Sequence, residues 1–589
     1  MRHLSRRAFL ASAVSGAALL LAACGQAAPT PAPPKPVDTG KPVEKPAEAP
    51  KPTAEPAKPT AEPTKPTAAA PAAPTKPVEA KPTAEQAKPG PTVAPAAKPG
   101  ATKFQGQIVI SIIQQVPEEA QAALTDAYKK VRPDVSLVWE LPGGGAGQYP
   151  TWLGTQLAAG NIRPDIVSGN YVSSYAKYYN FEQVRKTINP HTNNPWDKDL
   201  DWDFFRARNA KGERNMLPSR AVHTMWFYNK EMLAKANVKP PQTWAEFADV
   251  CQKLKLAGFT PVAANYTFQV PQWLAEIYFD QYHVDWIQAV RAQKGDWSYD
   301  PGLDDKFNYD PKDPFIHTRY TYNPQRYWKG IRDGLLKYDT PQMAEIIKNM
   351  AEIFPKHATS DLFVMQDSYP PFLQQQCAIM CNGSWSLPTL ANDMKAMTPD
   401  RLKELKLDEK TSIRPFEWGF FENPSMEGPL VKTTAKSVES ATGEYISIVD
   451  KSQGQTELVL DLVMYWLSKA GYQPFLEGYI KSGSRFRPSG PLMVKGVEDP
   501  PEIQKMFGDI KFVGNAEINY NNFLGWGGGG SPHMRTSFNI YKDALEGKMP
   551  PAEFGRQIQS LITTNFDDLL KRAQLTKEDV DNPAKQPGT

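Results

Sequence analysis

Residues 221–264, AVHTMWFYNKEMLAKANVKPPQTWAEFADVCQKLKLAGFTPVAA, pass from strand to helix to a second helix to strand. Ala221 to Tyr228 is β-branched and aromatic, as a strand requires, and Asn229 is a good N-cap for a short helix through Lys235. Pro240 and Pro241 forbid helix, whereas Thr243-Trp244-Ala245-Glu246 has the Thr-x-x-Glu spacing in which two side chains satisfy each other's unpaired N–H groups. A second helix therefore starts there. Trp244, Phe247, Val250, Cys251 and Leu254 recur at helical spacing as one apolar stripe, and Gly258 can take the left-handed conformation that ends it.

Upstream, the pattern alternates. Ile108 to Ile113 reads as a strand, Glu118 to Val131 as a helix with Leu124, Tyr128 and Val131 on one face, Val135 to Leu141 as a strand, Tyr149 to Ala159 as a helix and Asp165 to Val167 as a strand. Such repetition predicts a parallel sheet flanked by helices, with ligands met by loops at the carboxyl ends of strands. That points to Gln114 and Gln115, to Pro142 through Gln148, and to Ser168 through Asn170. Gly143-Gly144-Gly145-Ala146-Gly147 lacks the Gly-Lys-Ser/Thr ending of a phosphate loop and is read as a flexible lip.

Trp226-Phe227-Tyr228-Asn229-Lys230-Glu231-Met232-Leu233, then Pro240-Pro241-x-Thr243-Trp244-x-Glu246-Phe247 and Gly258-Phe259-Thr260-Pro261, resembles the family 1 extracellular solute-binding proteins of ABC importers, the maltose-binding group. Arg163-Pro164-Asp165-Ile166 is similar to that family's third-strand start, although Ser168-Gly169-Asn170 replaces its Asp-bearing loop. Phe372 to Met380 followed by Asn382-Gly383-Ser384-Trp385 resembles the strand ending in Gly-x-Trp at the cleft, and Glu444-Tyr445-Ile446-Ser447-Ile448 with the helix Thr456 to Ala470 looks like the return crossing. The resemblance implies an α/β, two-lobed periplasmic-binding-protein-like fold, each lobe a mainly parallel sheet flanked by helices, joined by a hinge near Tyr228. The expected lobes are 103–226 with 441–505 and 227–440 with 506–589, the part from Asn515 on packing on the second lobe. Residues 283–340 read as an elaboration of that lobe, and Asp300, Asp304, Asp305, Asp310 and Asp313 lack the spacing of a calcium hand, which makes them a solvated surface.

Of 56 prolines in 589 residues, 21 fall between Ala27 and Gly100, so the first hundred residues stand apart. Residues 1–24 have Arg2, Arg6 and Arg7, an apolar run from Ala8 to Ala22 too short for a membrane-spanning helix, and small residues before Cys24, as in a signal peptide. Leu21-Ala22-Ala23-Cys24 resembles a bacterial lipobox, which implies lipidation at Cys24 and a membrane partner; Ser5-Arg6-Arg7-Ala8-Phe9-Leu10 resembles the twin-arginine consensus, with general secretion the alternative. Residues 25–102 repeat Lys-Pro-Thr-Ala-Glu-Pro-like units with no apolar periodicity and are expected to be a disordered Pro/Ala/Lys/Thr-rich tether. At most it would reach about 230 Å, and as flexible coil nearer about 50 Å. With Cys24 lipidated, Cys251, Cys377 and Cys381 remain, an odd number that argues against a disulfide framework and is read as three core thiols.

A net charge of +3 favours neither nucleic acid nor another strongly charged partner. The seven histidines form no His-Glu-x-x-His, and no nucleophile elbow or Cys-His signature is present, so neither catalysis, cofactor nor metal is expected. A sugar presents apolar C–H faces and a rim of hydroxyls, so its site needs aromatic platforms and fixed polar partners. Trp385 ends a strand, Trp273 opens a helix and Trp526 lies between Gly525 and Gly527; with Trp226 and Tyr149 these are the candidate platforms, and Asn170, Asn265 and Glu444 the polar partners nominated by position. What the resemblance implies is a monomeric, lipid-anchored binding protein on the extracytoplasmic face of the cell membrane, capturing a carbohydrate for ABC permease subunits. The alternatives are a peptide, polyol, organophosphate or metal complex on the same fold, a surface polysaccharide-acting enzyme, or a sensor or adhesin without transport.

Overall fold

The computed structural model describes residues 104–588 apart from 114–115, 141–147, 160–161, 170–176, 203–207, 437–444, 484–486, 509, 511–522 and 526–530. The signal, lipobox and tether therefore lie outside the described residues. Among the described residues, nine strands form two sheets: β1 (Gly106–Ser111), β2 (Val135–Trp139), β3 (Ile166–Val167), β4 (Leu217–Pro218) and β9 (Tyr445–Ile448) in the order β2-β1-β3-β9-β4, and β5 (Thr224–Asn229), β6 (Val262–Ala263), β7 (Ile379–Gly383) and β8 (Trp418–Phe421) in the order β6-β7-β5-β8.

Parallel pairing holds where strand and helix alternate: β1 with β2, β1 with β3, and β6 with β7. β9 enters antiparallel between β3 and β4, and β5 antiparallel between β7 and β8. Both are strands by which the chain changes lobe, so they run against the strands that wind within a lobe.

The first lobe's core joins Ile108 and Ile110 of β1 to Ala120, Leu124 and Tyr128 of helix Glu118–Lys129, and to Leu458, Leu462 and Trp466 of helix Gln453–Trp466. Asp461 fastens this packing. It accepts hydrogen bonds from Tyr128 Oη at 2.8 Å and from Arg132 Nη2 at 2.8 Å. Val131, expected on the buried face, is exposed instead, because the helix stops at Lys129 and Val131 N–H turns back to the Tyr128 carbonyl.

The organising stretch folds as its local chemistry dictates. Asn229 Oδ1 accepts from Met232 N–H, Thr243 and Glu246 form the reciprocal capping box, and Trp244, Phe247, Val250, Cys251 and Leu254 are all buried. Gly258, at φ +86°, follows the helix end. Strand alternation then divides β5 between two layers. Trp226 faces the large second-lobe core, whereas Met225 and Phe227 face a separate cluster with Leu387, Ile503 and Phe507. Two boundaries move accordingly: β5 belongs to the second sheet from Thr224, ahead of the expected change at 226, and helix Pro501–Gly508 packs on that sheet although 441–505 was expected in the first lobe. Its apolar face, Ile503 and Phe507, has its partners there.

Residues 283–340, expected as an elaboration of the second lobe, contribute to its core. Tyr320, Tyr327, Trp328, Ile331 and Tyr338 are buried in it, and His317 Nε2 lies 2.7 Å from Asp280 Oδ1. The solvated-surface reading fails for Asp304, which is 4% exposed and accepts N–H bonds from Thr321 and Asp300. Helices Pro532–Leu545 and Pro551–Thr564 close the same core.

Candidate functional site

Between β4 of one sheet and β5 of the other runs the crossing 219–223. A second segment, 489–493, lies antiparallel beside it: Ala221 N–H donates to Pro491 O at 3.0 Å and Met493 N–H to Ser219 O at 2.9 Å. From the second lobe, Ser384 ties into both. Its N–H donates to His223 O at 2.8 Å, and its hydroxyl donates to Ser489 O at 2.6 Å. Arg220 and Asp499, both nearly sealed from solvent, form a two-pronged ion pair at 2.6 and 2.9 Å, and Arg220 also donates to Gly490 O at 2.7 Å. Sequence reasoning missed this second crossing, because pairing through backbone amides leaves no periodic mark on side chains.

One residue beyond Ser384 is Trp385, at the carboxyl end of β7 and the start of helix Ser386–Asp393. Its partly exposed indole folds back over Gly383, where a Cβ would collide with the ring, and it meets Trp273 with ring centroids 5.6 Å apart. Trp273 is itself buried and wedged edge-on against Phe268 at 4.8 Å. It does not simply open a helix as expected: it sits in a six-residue π-helical segment, Gln269–Leu274, that runs into helix Ala275–His283. These two tryptophans are the nominated residues that the structure brings together. One turn after Trp273, Glu276 is buried, and burial alone pushes its carboxyl up to about 8.

The other nominees have different settings. Trp226 is fully buried in the second-lobe core, crossed by Phe247 at 4.7 Å, stacked on Phe421 at 6.2 Å, its Nε1–H donating to Asn423 Oδ1 at 3.1 Å. That placement corrects its nomination as a platform: no face of the ring is open to a ligand. Tyr149 is buried too. Its hydroxyl donates to Ser111 O at 2.5 Å and accepts from Ser168 N–H at 2.9 Å, pinning together the carboxyl ends of β1 and β3. Asn265 uses its side-chain oxygen on Thr267, Phe268 and Gln269, so it caps the π-helical turn that carries Trp273. Asn170, Glu444 and Trp526 lie outside the described residues, as do Gln114, Gln115 and the glycine lip.

Residues 113–472 match the family model described as bacterial extracellular solute-binding protein. The chain belongs to that family. Over 151 residues this solute-binding chain is 28% identical to a probable sugar-binding periplasmic protein of Rhizobium meliloti (strain 1021), a stretch covering 24% of this chain and 35% of that protein. The match thus spans about a third of the relative's length. Among solved structures it is similar to a chitin oligosaccharide binding protein, at 16% identity over 78% of this chain and 98% of the other, with a TM-score of 0.49. It is also similar to a family 1 extracellular solute-binding protein from Bifidobacterium longum subsp. infantis, at 16% identity over 78% and 100%, with a TM-score of 0.48. The chain's two sheets are joined by the paired segments 219–223 and 489–493. Among the described residues, no helix is long and apolar enough to cross a membrane.

Proposed function

We propose that this solute-binding chain captures a carbohydrate between its lobes and delivers it to an ABC importer, tethered to the outer face of the cell membrane through a lipid on Cys24. The observation that carries the carbohydrate is the Trp385–Trp273 pair at the carboxyl end of β7. One partly exposed indole, held from behind by a second and beside the hinge serine, offers the flat apolar face that a pyranose ring stacks on. The name of the sugar-binding relative points the same way. Ligand contacts that need both lobes would favour the closed state, and the permease would recognise closure.

Screening the secreted chain by thermal shift against mono- and oligosaccharides tests this, since a ligand of the folded form raises the melting temperature. Trp385→Ala should then weaken the identified sugar by about 1 kcal/mol or more. A panel without any shift, or an affinity untouched by Trp385→Ala in calorimetry, would reject the sugar or the platform respectively. An organophosphate is disfavoured by two arginines a phosphate could have used: Arg220 is committed to Asp499, and Arg163 lies at the surface with Glu140.

A further inference from the structure

The lobes touch at a place that no crossing segment explains. Loop 209–213 is rooted in the first lobe: Asn209 Oδ1 accepts from the N–H groups of Lys211 and Glu213 at 3.0 Å each, and the next residue, Arg214, donates to Glu182 at 2.8 Å and, from its N–H, to Asn180 at 3.0 Å. Phe181, between those two partners, is in the first-lobe core. Yet the tip of the loop belongs to the other lobe. Ala210 is buried in the second-lobe core, and Gln586 Nε2 donates to Lys211 O at 2.7 Å. Gly212, at φ +78°, lies so close under Trp297 that a Cβ would stand 2.7 Å from the indole. The receiving surface is built for this. Trp297 N–H donates to Pro583 O at 3.1 Å, and Gln325, which accepts from the Trp297 indole, donates to the carbonyls of Asp579, Asn582 and Lys585.

We propose that loop 209–213 is a latch: it clips the first lobe to the Trp297 face and C-terminal tail of the second, and so sets the angle from which the lobes move. Glycine at 212 is required twice, by a backbone conformation that side chains disfavour and by the indole above it. The latch adds regulation to the lobe movement proposed above, on which it rests, but its test needs no ligand.

In the full chain, Lys211→Cys with Gln586→Cys is treated with a short bismaleimide, alone and combined with Gly212→Val or Trp297→Ala. The parent pair should cross-link readily without ligand. Each added substitution should slow cross-linking several-fold and change the small-angle scattering profile of the ligand-free chain, with a cooperative melt retained. Absence of cross-linking in the parent pair, or an unchanged rate in the folded variants, would overturn the latch. Should Gly212→Val fail to melt cooperatively, Trp297→Ala, which leaves the loop backbone alone, decides. A failed sugar screen beside a working cross-link would reject the carbohydrate and keep the latch.

Discussion

Removing the Asp499 carboxylate should be among the most destabilising single changes available at the hinge. Its partner Arg220 has a side chain 3% exposed, and Asp499 is 7% exposed, so Asp499→Ala strands a guanidinium where water does not reach it. Breaking a buried pair by deleting one member typically costs about 3–5 kcal/mol, because the surviving charge keeps its desolvation penalty without its partner. Arg220 retains its bond to Gly490 O, which argues for the lower end, about 3 kcal/mol. Against a total stability of about 5–15 kcal/mol this is a large fraction. Urea denaturation of wild type, Asp499→Ala, Arg220→Met and the double variant forms a cycle that separates the pair from its members. The double variant should recover most of the loss, since apolar groups of similar volume often replace a buried pair at little cost. A loss for Asp499→Ala below about 1 kcal/mol, within the range of an exposed pair, would refute the burial argument.

Trp226→Ala should lower stability by about 3–5 kcal/mol, a loss read by denaturation, while the folded fraction keeps its ligand affinity by calorimetry, the opposite pattern to Trp385→Ala. Gly383→Ala should displace the Trp385 indole and weaken sugar binding with a smaller change in melting temperature; unaltered affinity would show that the ring does not need its present seat. Glu276 gives a pH dependence. With its carboxyl raised from the ordinary 4.5 to about 8, the folded chain holds a proton that the unfolded chain has released, so stability falls as pH rises from about 4.5 to about 8. Glu276→Gln should flatten that fall. His283 acts at the other end: burial lowers it from 6.5 to about 4, so stability is lost as pH drops through that window, and His283→Phe should reduce the loss in acid melts.

Much of the fold was legible because it is written locally. Asn229, the Thr243–Glu246 box and the apolar stripe each act within one turn of helix, where spacing alone fixes partners. The site was legible only in part. Trp226 and Trp385 are the same residue type, yet Trp226 lies inside β5 and alternates into the core, whereas Trp385 lies two residues past the end of the neighbouring strand β7 and folds back over Gly383. Which face of β5 is the covered one depends on helices brought from elsewhere in the chain, and a single strand carries no record of them. Asn265 shows the same limit, since an asparagine before a helical turn suits a cap as well as a ligand. The loop 209–213 was invisible for a further reason: its contacts join residues more than eighty positions apart, through backbone carbonyls and one glycine.

The three thiols within the described residues, Cys251, Cys377 and Cys381, are buried and unpaired, and burial pushes each far above the ordinary thiol range. At neutral pH they hold almost no thiolate, the form that reacts. For anyone attaching a fluorophore or a spin label, the folded body is a silent background. A cysteine placed on either lobe would be the reactive one, so lobe motion can be followed optically without first stripping the native sulfurs from the core.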